Sequence, residues 1–172
     1  MKIIFLLLTV MCCLGTESFY NQPLHSADGS QLDLNRFSGK KILIVNIATA
    51  GDRVPQLGEL QQLHMQMGDS LVIIAVPSNS FGNTNGTAAE VAEYCRQQYS
   101  ASYLISAGAE VKGNNQHPLY AWLTQAAKNG ALDSEVKSDF QKYLIDKNGE
   151  LMGAYAGSVS VFSPAFIHAL NQ

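Results

Sequence analysis

Sulfur chemistry is the first possibility to weigh, because the 172-residue chain carries three cysteines, Cys12, Cys13 and Cys95. A thiolate can attack a peroxide or a disulfide, and its reactivity follows how readily the thiol gives up its proton. Cys12 and Cys13 fall inside an apolar N-terminal run, which leaves Cys95 as the thiol of the chain's body. One thiol cannot close an internal disulfide or run a two-cysteine cycle within one chain. Other chemistries find less to work with. His25, His64, His117 and His168 lie far apart, and no Cys/His spacing matches a zinc site. There is no Gly-x-Ser-x-Gly elbow and no phosphate loop. Asp52 and Arg53 form a charged couple beside a helix start, able to hold a small anion or to pair with each other.

The elements that must position such groups centre on Lys41 to Leu60. Ile42-Leu43-Ile44-Val45-Asn46-Ile47-Ala48 is a β-branched apolar run without charged alternation, as expected of a strand buried on both faces of a parallel sheet. The turn Thr49 to Arg53 follows. Pro55 then opens a helical pattern with Leu57, Leu60, Leu63 and Met67 on one face, and Gly68 is read as its C-terminal stop. Ser70 to Pro77 is a second buried strand, so strand, helix and strand form a βαβ unit. The turn after the first strand therefore lies at the carboxyl edge of the sheet, where open α/β sheets build their sites.

Around this unit, Leu24 to Leu32 reads as a small N-terminal β-hairpin turned at Asp28-Gly29, and Tyr143 to Tyr155 as a hairpin turned at Asn148-Gly149. Thr87 and Glu90 complete a capping box for a helix through Val91 and Cys95. Asn85-Gly86-Thr87 is also a glycosylation sequon, with meaning only in a host that glycosylates. His117-Pro118 opens a helix that turns Leu119, Trp122 and Leu123 inward, the histidine bonding nearby backbone. Ser163-Pro164 opens a last helix with Phe166, Ile167 and Leu170 facing in.

Composition bounds the rest. At 47% hydrophobic and 15% charged, the chain suits one globular domain with a real core. The net charge of −3 gives no reason to expect nucleic acid. Residues 1–15 have one basic residue, an apolar run and small residues near the end, the layout of a secretory signal cut after Gly15. A transmembrane helix wants roughly 20 apolar residues, more than this run offers. A lipid-anchored reading through Cys12 or Cys13 is weaker, because neither follows Gly, Ala or Ser. The expected layout is thus a signal over 1–15, a domain over 16–172, and a periplasmic or secreted product.

Several stretches resemble the glutathione peroxidase family. The family's Asn-Val-Ala-Ser-x-Cys-Gly-x-Thr-x-Gln-Tyr aligns without gaps on Asn46 to Leu57, Phe-Pro-Cys-Asn-Gln-Phe-Gly-Gly on Val76 to Asn83, and His-Pro-Leu-Tyr on His117 to Tyr120. Lys-Trp-Asn-Phe-x-Lys-Phe/Tyr-Leu-Ile/Val-Asp matches Lys137 to Asp146. The resemblance runs from about Ser18 to Leu170. It implies an α/β, thioredoxin-like fold, with a central mixed sheet flanked by helices and an N-terminal hairpin. In the family the site is Cys or selenocysteine, Gln, Trp and Asn; here those positions hold Gly51, Ser80, Ser138 and Asp139. A peroxide needs a sulfur or selenium nucleophile, and glycine offers none. The resemblance therefore implies a peroxidase frame with a vestigial site, acting by binding an unknown protein or small molecule, with no cofactor. The rival reading is a residual thiol peroxidase of the oxidative-stress response. It would use Cys95, which falls in the family's resolving region, with glutathione or thioredoxin as reductant.

Overall fold

The computed structural model describes residues 16–172. The expected export signal and its cleavage point, and the lipid-anchor reading of Cys12 and Cys13, lie outside the described residues. Five strands form one mixed sheet: β1 (Lys41–Ile47), β2 (Leu71–Pro77), β3 (Leu104–Ile105), β4 (Lys142–Ile145) and β5 (Leu151–Tyr155), in the order β3-β2-β1-β4-β5. β1 pairs in parallel with β2 and antiparallel with β4, so the most apolar strand lies at the centre of the sheet. The helices are α1 (Gln56–Met67), α2 (Ala88–Tyr99), α3 (Pro118–Thr124), α4 (Ala126–Asn129) and α5 (Pro164–Leu170).

Alternation along β1 divides the core into two layers. Leu43, Val45 and Ile47 pack with Leu57, Leu60 and Leu63 of α1, Val91 and Cys95 of α2, and Phe166 of α5. Ile42 and Ile44 face the other way, onto Leu119, Tyr120, Trp122 and Leu123 of α3 and onto Phe19, Leu24 and Leu34 from the start of the domain. Each fully buried Leu of α1 stabilises the fold by roughly 1.5–3 kcal/mol relative to exposure.

Local signals resolve much as their chemistry dictates. Thr87 and Glu90 make the reciprocal capping box of α2. His117 Nδ1 accepts from the Leu119 N–H at 3.2 Å at the start of α3, so it serves the backbone. Burial lowers its pKa, with a second push from His25. The N-terminal hairpin shrinks to a single bridge between His25 and Gln31, with Gly29 at φ +86° in its turn. Gly68 ends α1 without the left-handed turn: its φ is −56°. A Cβ there would come 2.9 Å from the His64 carbonyl oxygen, so close approach explains this glycine. Trp122 donates its indole N–H to the Glu17 carbonyl at 2.6 Å, while the Glu17 N–H donates to the Lys128 carbonyl at 2.9 Å. These bonds fasten the beginning of the domain onto α3 and α4. Among the described residues no helix is long and apolar enough to cross a membrane.

Candidate functional site

The turn between β1 and α1 opens into a cleft of about 340 Å³, walled by Gly51, Asp52, Arg53, Asn83, Asp139 and Phe140, with Ala50 at its edge. Three segments meet there because backbone bonds hold them together. The Thr49 and Ala50 N–H groups both donate to the Asn83 carbonyl, at 3.1 and 3.0 Å. The Phe140 N–H donates to the Asn46 carbonyl at 2.7 Å, bringing the segment before β4 against the end of β1. Two residues of the cleft have positive φ, Gly51 at +97° and Phe140 at +63°. The first is cheap for glycine. The second is costly for a bulky residue, by roughly 1–3 kcal/mol, and persists because surrounding bonds over-determine it.

Lys142 supplies much of that hold. It is fully buried, and its ammonium donates to the Phe140 carbonyl and to Gln56 Oε1, both at 2.7 Å. Gln56 in turn donates to the Gly157 carbonyl at 2.8 Å. The Lys142 pKa is lowered to about 8, chiefly by desolvation, with Glu59 opposing the shift and Arg53 adding to it. Gly157 packs so tightly that a Cβ would overlap the Asp139 carbonyl oxygen and Ser138 Oγ. The scaffold beneath the cleft is therefore a chain of paired polar groups.

At the cleft wall itself the pairing is incomplete. Asp139 is 5% exposed; its Oδ2 accepts from Asn83 Nδ2 at 2.7 Å, and its Oδ1 is buried without a partner. Asn46 Oδ1 nearby is unpartnered too, while its Nδ2 donates to the Ser138 carbonyl at 3.0 Å. A buried polar atom left unpaired costs about 1–3 kcal/mol. Asp52 and Arg53 are exposed and do not pair, which corrects the expectation of a solvent ion pair; the ion pairs among the described residues are Arg96–Glu93 and Lys128–Glu17. Among the described residues no group of three or more His, Cys, Asp or Glu is placed to hold a metal.

Comparison with known proteins agrees with this architecture. The family model described as Glutathione peroxidase matches residues 19–124. The chain belongs to the glutathione peroxidase family. Among curated relatives, "Glutathione peroxidase homolog BsaA" of Bacillus subtilis (strain 168) is 33% identical over 141 residues, covering 81% of this chain and 88% of that protein. "Hydroperoxy fatty acid reductase gpx1" of Synechocystis sp. is 31% identical over 157 residues, covering 87% and 92%. Among solved structures, the apo form of Trgpx has a TM-score of 0.67 at 25% identity, covering 92% of this chain and 98% of that one. A thioredoxin family protein from Chlorobium tepidum shares the fold, with a TM-score of 0.61 at 15% identity over 91% of this chain and 97% of that one. The thioredoxin-like fold expected from the glutathione peroxidase motifs is the fold observed.

Of the four positions matched to the glutathione peroxidase site, the cleft wall holds Gly51 and Asp139. Ser80 is engaged elsewhere: its Oγ donates to Glu110 Oε2 at 2.8 Å and accepts from the Val111 N–H at 3.0 Å. Ser138 is turned onto its own segment, its Oγ donating to the Asp139 carbonyl at 3.1 Å beside Gly157. The expected cleft around Gly51, Ser80 and Asp139 is therefore narrower in its membership. Ser80 is tied to Glu110 and Val111, and Ser138 to its own neighbour. Cys95 is corrected more sharply. The candidate redox thiol is fully buried in the α1/α2 layer. Burial pushes its pKa up to about 11 against a smaller opposing hydrogen bond with Tyr103. Asn83, Phe140 and Lys142 were not singled out as site groups. The signal available for Asn83 was its departure from the family's second glycine in Phe-Gly-Gly.

Proposed function

We propose that this glutathione peroxidase family protein is an exported, non-enzymatic member that acts by binding a protein or small molecule at the Gly51 cleft. The observation that carries the reading is the absence of a side chain at Gly51, the position that the family pattern gives to the peroxidatic Cys or selenocysteine. Peroxide reduction begins with attack of a thiolate or selenolate on the O–O bond, which breaks as the sulfur becomes a sulfenic acid. Its relatives are named for peroxide or fatty-acid hydroperoxide reduction. In this chain the remaining thiol of the domain, Cys95, is sealed and holds its proton to about pH 11. Export rests on the layout of residues 1–15. The test is peroxide consumption by the purified mature chain, coupled separately to glutathione and to thioredoxin, beside its Cys95→Ser variant. The expected rate is the buffer background in every arm. A rate that vanishes in the variant would hand the chemistry to Cys95 and overturn the reading. Export is tested by fractionating the host cells and by mass analysis of the N-terminus; a chain confined to the cytoplasmic fraction with Met1 intact would refute it.

A further inference from the structure

We infer that Asn85 is the point at which this protein ages chemically: its side-chain amide is lost spontaneously as ammonia, with the Gly86 peptide nitrogen as internal nucleophile. The step needs neither an occupant of the Gly51 cleft nor a reactive thiol, so it stands apart from the binding role proposed above.

Asparagine is a thermolabile residue. When glycine follows it, no side chain shields the next peptide nitrogen. The Gly86 nitrogen bonds to Asn85 Cγ while the Cγ–Nδ2 bond breaks, and the Gly86 amide proton leaves with the released amide as ammonia. Solvent water then opens the cyclic imide at either carbonyl, giving aspartate or isoaspartate. Nothing is oxidised or reduced. Such an intramolecular attack is fast only where nitrogen and carbon are free to come into line.

The chain has three Asn-Gly steps, at Asn85, Asn129 and Asn148, and the fold treats them differently. Asn129 is buried; its Nδ2 donates to the Trp122 and Leu132 carbonyls at 2.9 and 3.0 Å, and its Oδ1 accepts from the Ala131 and Leu132 N–H groups. The Gly130 N–H donates to the Ala126 carbonyl at 2.8 Å. Asn148 is held by Asp146, whose Oδ2 accepts from Asn148 Nδ2 at 3.2 Å and whose carbonyl accepts from the Gly149 N–H at 3.1 Å. In both places cyclisation must first break the bonds that hold nucleophile and electrophile. Asn85 and Gly86 are exposed, and neither donates nor accepts a hydrogen bond among the described residues. The bonds stop at Thr84, whose N–H donates to Asn79 Oδ1 at 3.2 Å, and resume at Thr87, whose N–H donates to Glu90 Oε2 at 2.7 Å.

The helix that follows imposes the glycine. Gly86 has φ +92°, and a Cβ there would come 2.8 Å from Glu90 Oε2, the carboxylate that closes the α2 capping box. The cap thus keeps beside Asn85 the residue type that leaves the peptide nitrogen open. Conversion adds one negative charge to the chain's net −3. Isoaspartate also reroutes the backbone through the side-chain methylene, two residues from Asn83, whose Nδ2 holds Asp139.

The test incubates the purified chain at neutral pH and physiological temperature, native and in guanidinium chloride. Peptide mass analysis follows the amide-to-acid change at each asparagine, and electron-transfer fragmentation separates isoaspartate from aspartate. In the native protein Asn85 should convert at least about tenfold faster than Asn129 and Asn148, to a mixture containing isoaspartate. In denaturant the three rates should converge to within about threefold. Asn85→Gln should remove the early acidic isoform seen in isoelectric focusing. Asn85 intact in the native protein, native Asn129 or Asn148 keeping pace with it, or aspartate without isoaspartate would each overturn the inference.

Discussion

Around Gly51 there is room and no thiol, whereas around Cys95 there is a thiol and no room. The Gly51 turn is exposed, has positive φ, and a Cβ placed on it would meet nothing within 4 Å. Cys95 lies among Leu, Val and Tyr side chains in the α1/α2 layer, fully buried, with its proton held. A thiol peroxidase needs access and an ionisable sulfur at one point. Here the two requirements are met at different places. Retention of a nucleophile in a sequence therefore says little until its surroundings are known, and an open, polar site says little about chemistry until its nucleophile is found.

The largest expected effect tests how firmly the open region is built. Gly157→Ala should destabilise the protein by about 3 kcal/mol in denaturant titration, because the new methyl overlaps the Asp139 carbonyl oxygen. A loss within experimental error would mean that the cleft wall yields easily. Next comes Gly51→Cys, which places a thiol where there is room. We expect a cost of about 1–2 kcal/mol from the positive φ. In native protein the added thiol should be labelled by an alkylating reagent at least about 100-fold faster than Cys95, judged by peptide mass analysis. Equal labelling of the two would erase the contrast. Cys95→Ser should cost about 1 kcal/mol by burying a hydroxyl in the apolar layer, with no change in any peroxide signal.

The smallest effect concerns Lys142, whose pairing supports the open site. Its folded-state pKa of about 8 lies below the ordinary 10.5. Above about 8 the unfolded chain therefore holds more protons at this group, and stability should rise with pH, by up to about 1 kcal/mol between about pH 7 and pH 9. Cys95, raised from 9.0 to about 11, acts with the opposite sign and should lower stability between those values. Lys142→Met should abolish the rise; persistence of the rise in the variant would assign it to another group.

The elements that proved legible are those with long periodic signals. β1, β2, α1 and α2 stand where apolar runs, helical spacing and the Thr87–Glu90 box put them. β3 has two residues and α4 four, too few for any period to show, and both exist through contacts with neighbours already in place. The candidate site was legible as a location, because a strand entering a helix through a tight turn fixes a sheet edge. Its membership was not. Ser80 and Ser138 turn away through bonds to Glu110 and to the Asp139 backbone, and such side-chain choices have no periodic trace. Phe140's left-handed backbone is likewise a product of the Asn46 and Lys142 bonds that surround it.

The bond from Trp122 to Glu17 turns the chain's single indole into a built-in optical gauge. Its N–H is committed to the Glu17 carbonyl, inside an otherwise apolar shell of Phe19 and Leu side chains. Peeling that segment away would wet the ring and redden its emission while the sheet stays intact. Intrinsic fluorescence can thus follow the docking of the segment around Glu17 in real time, with no label attached.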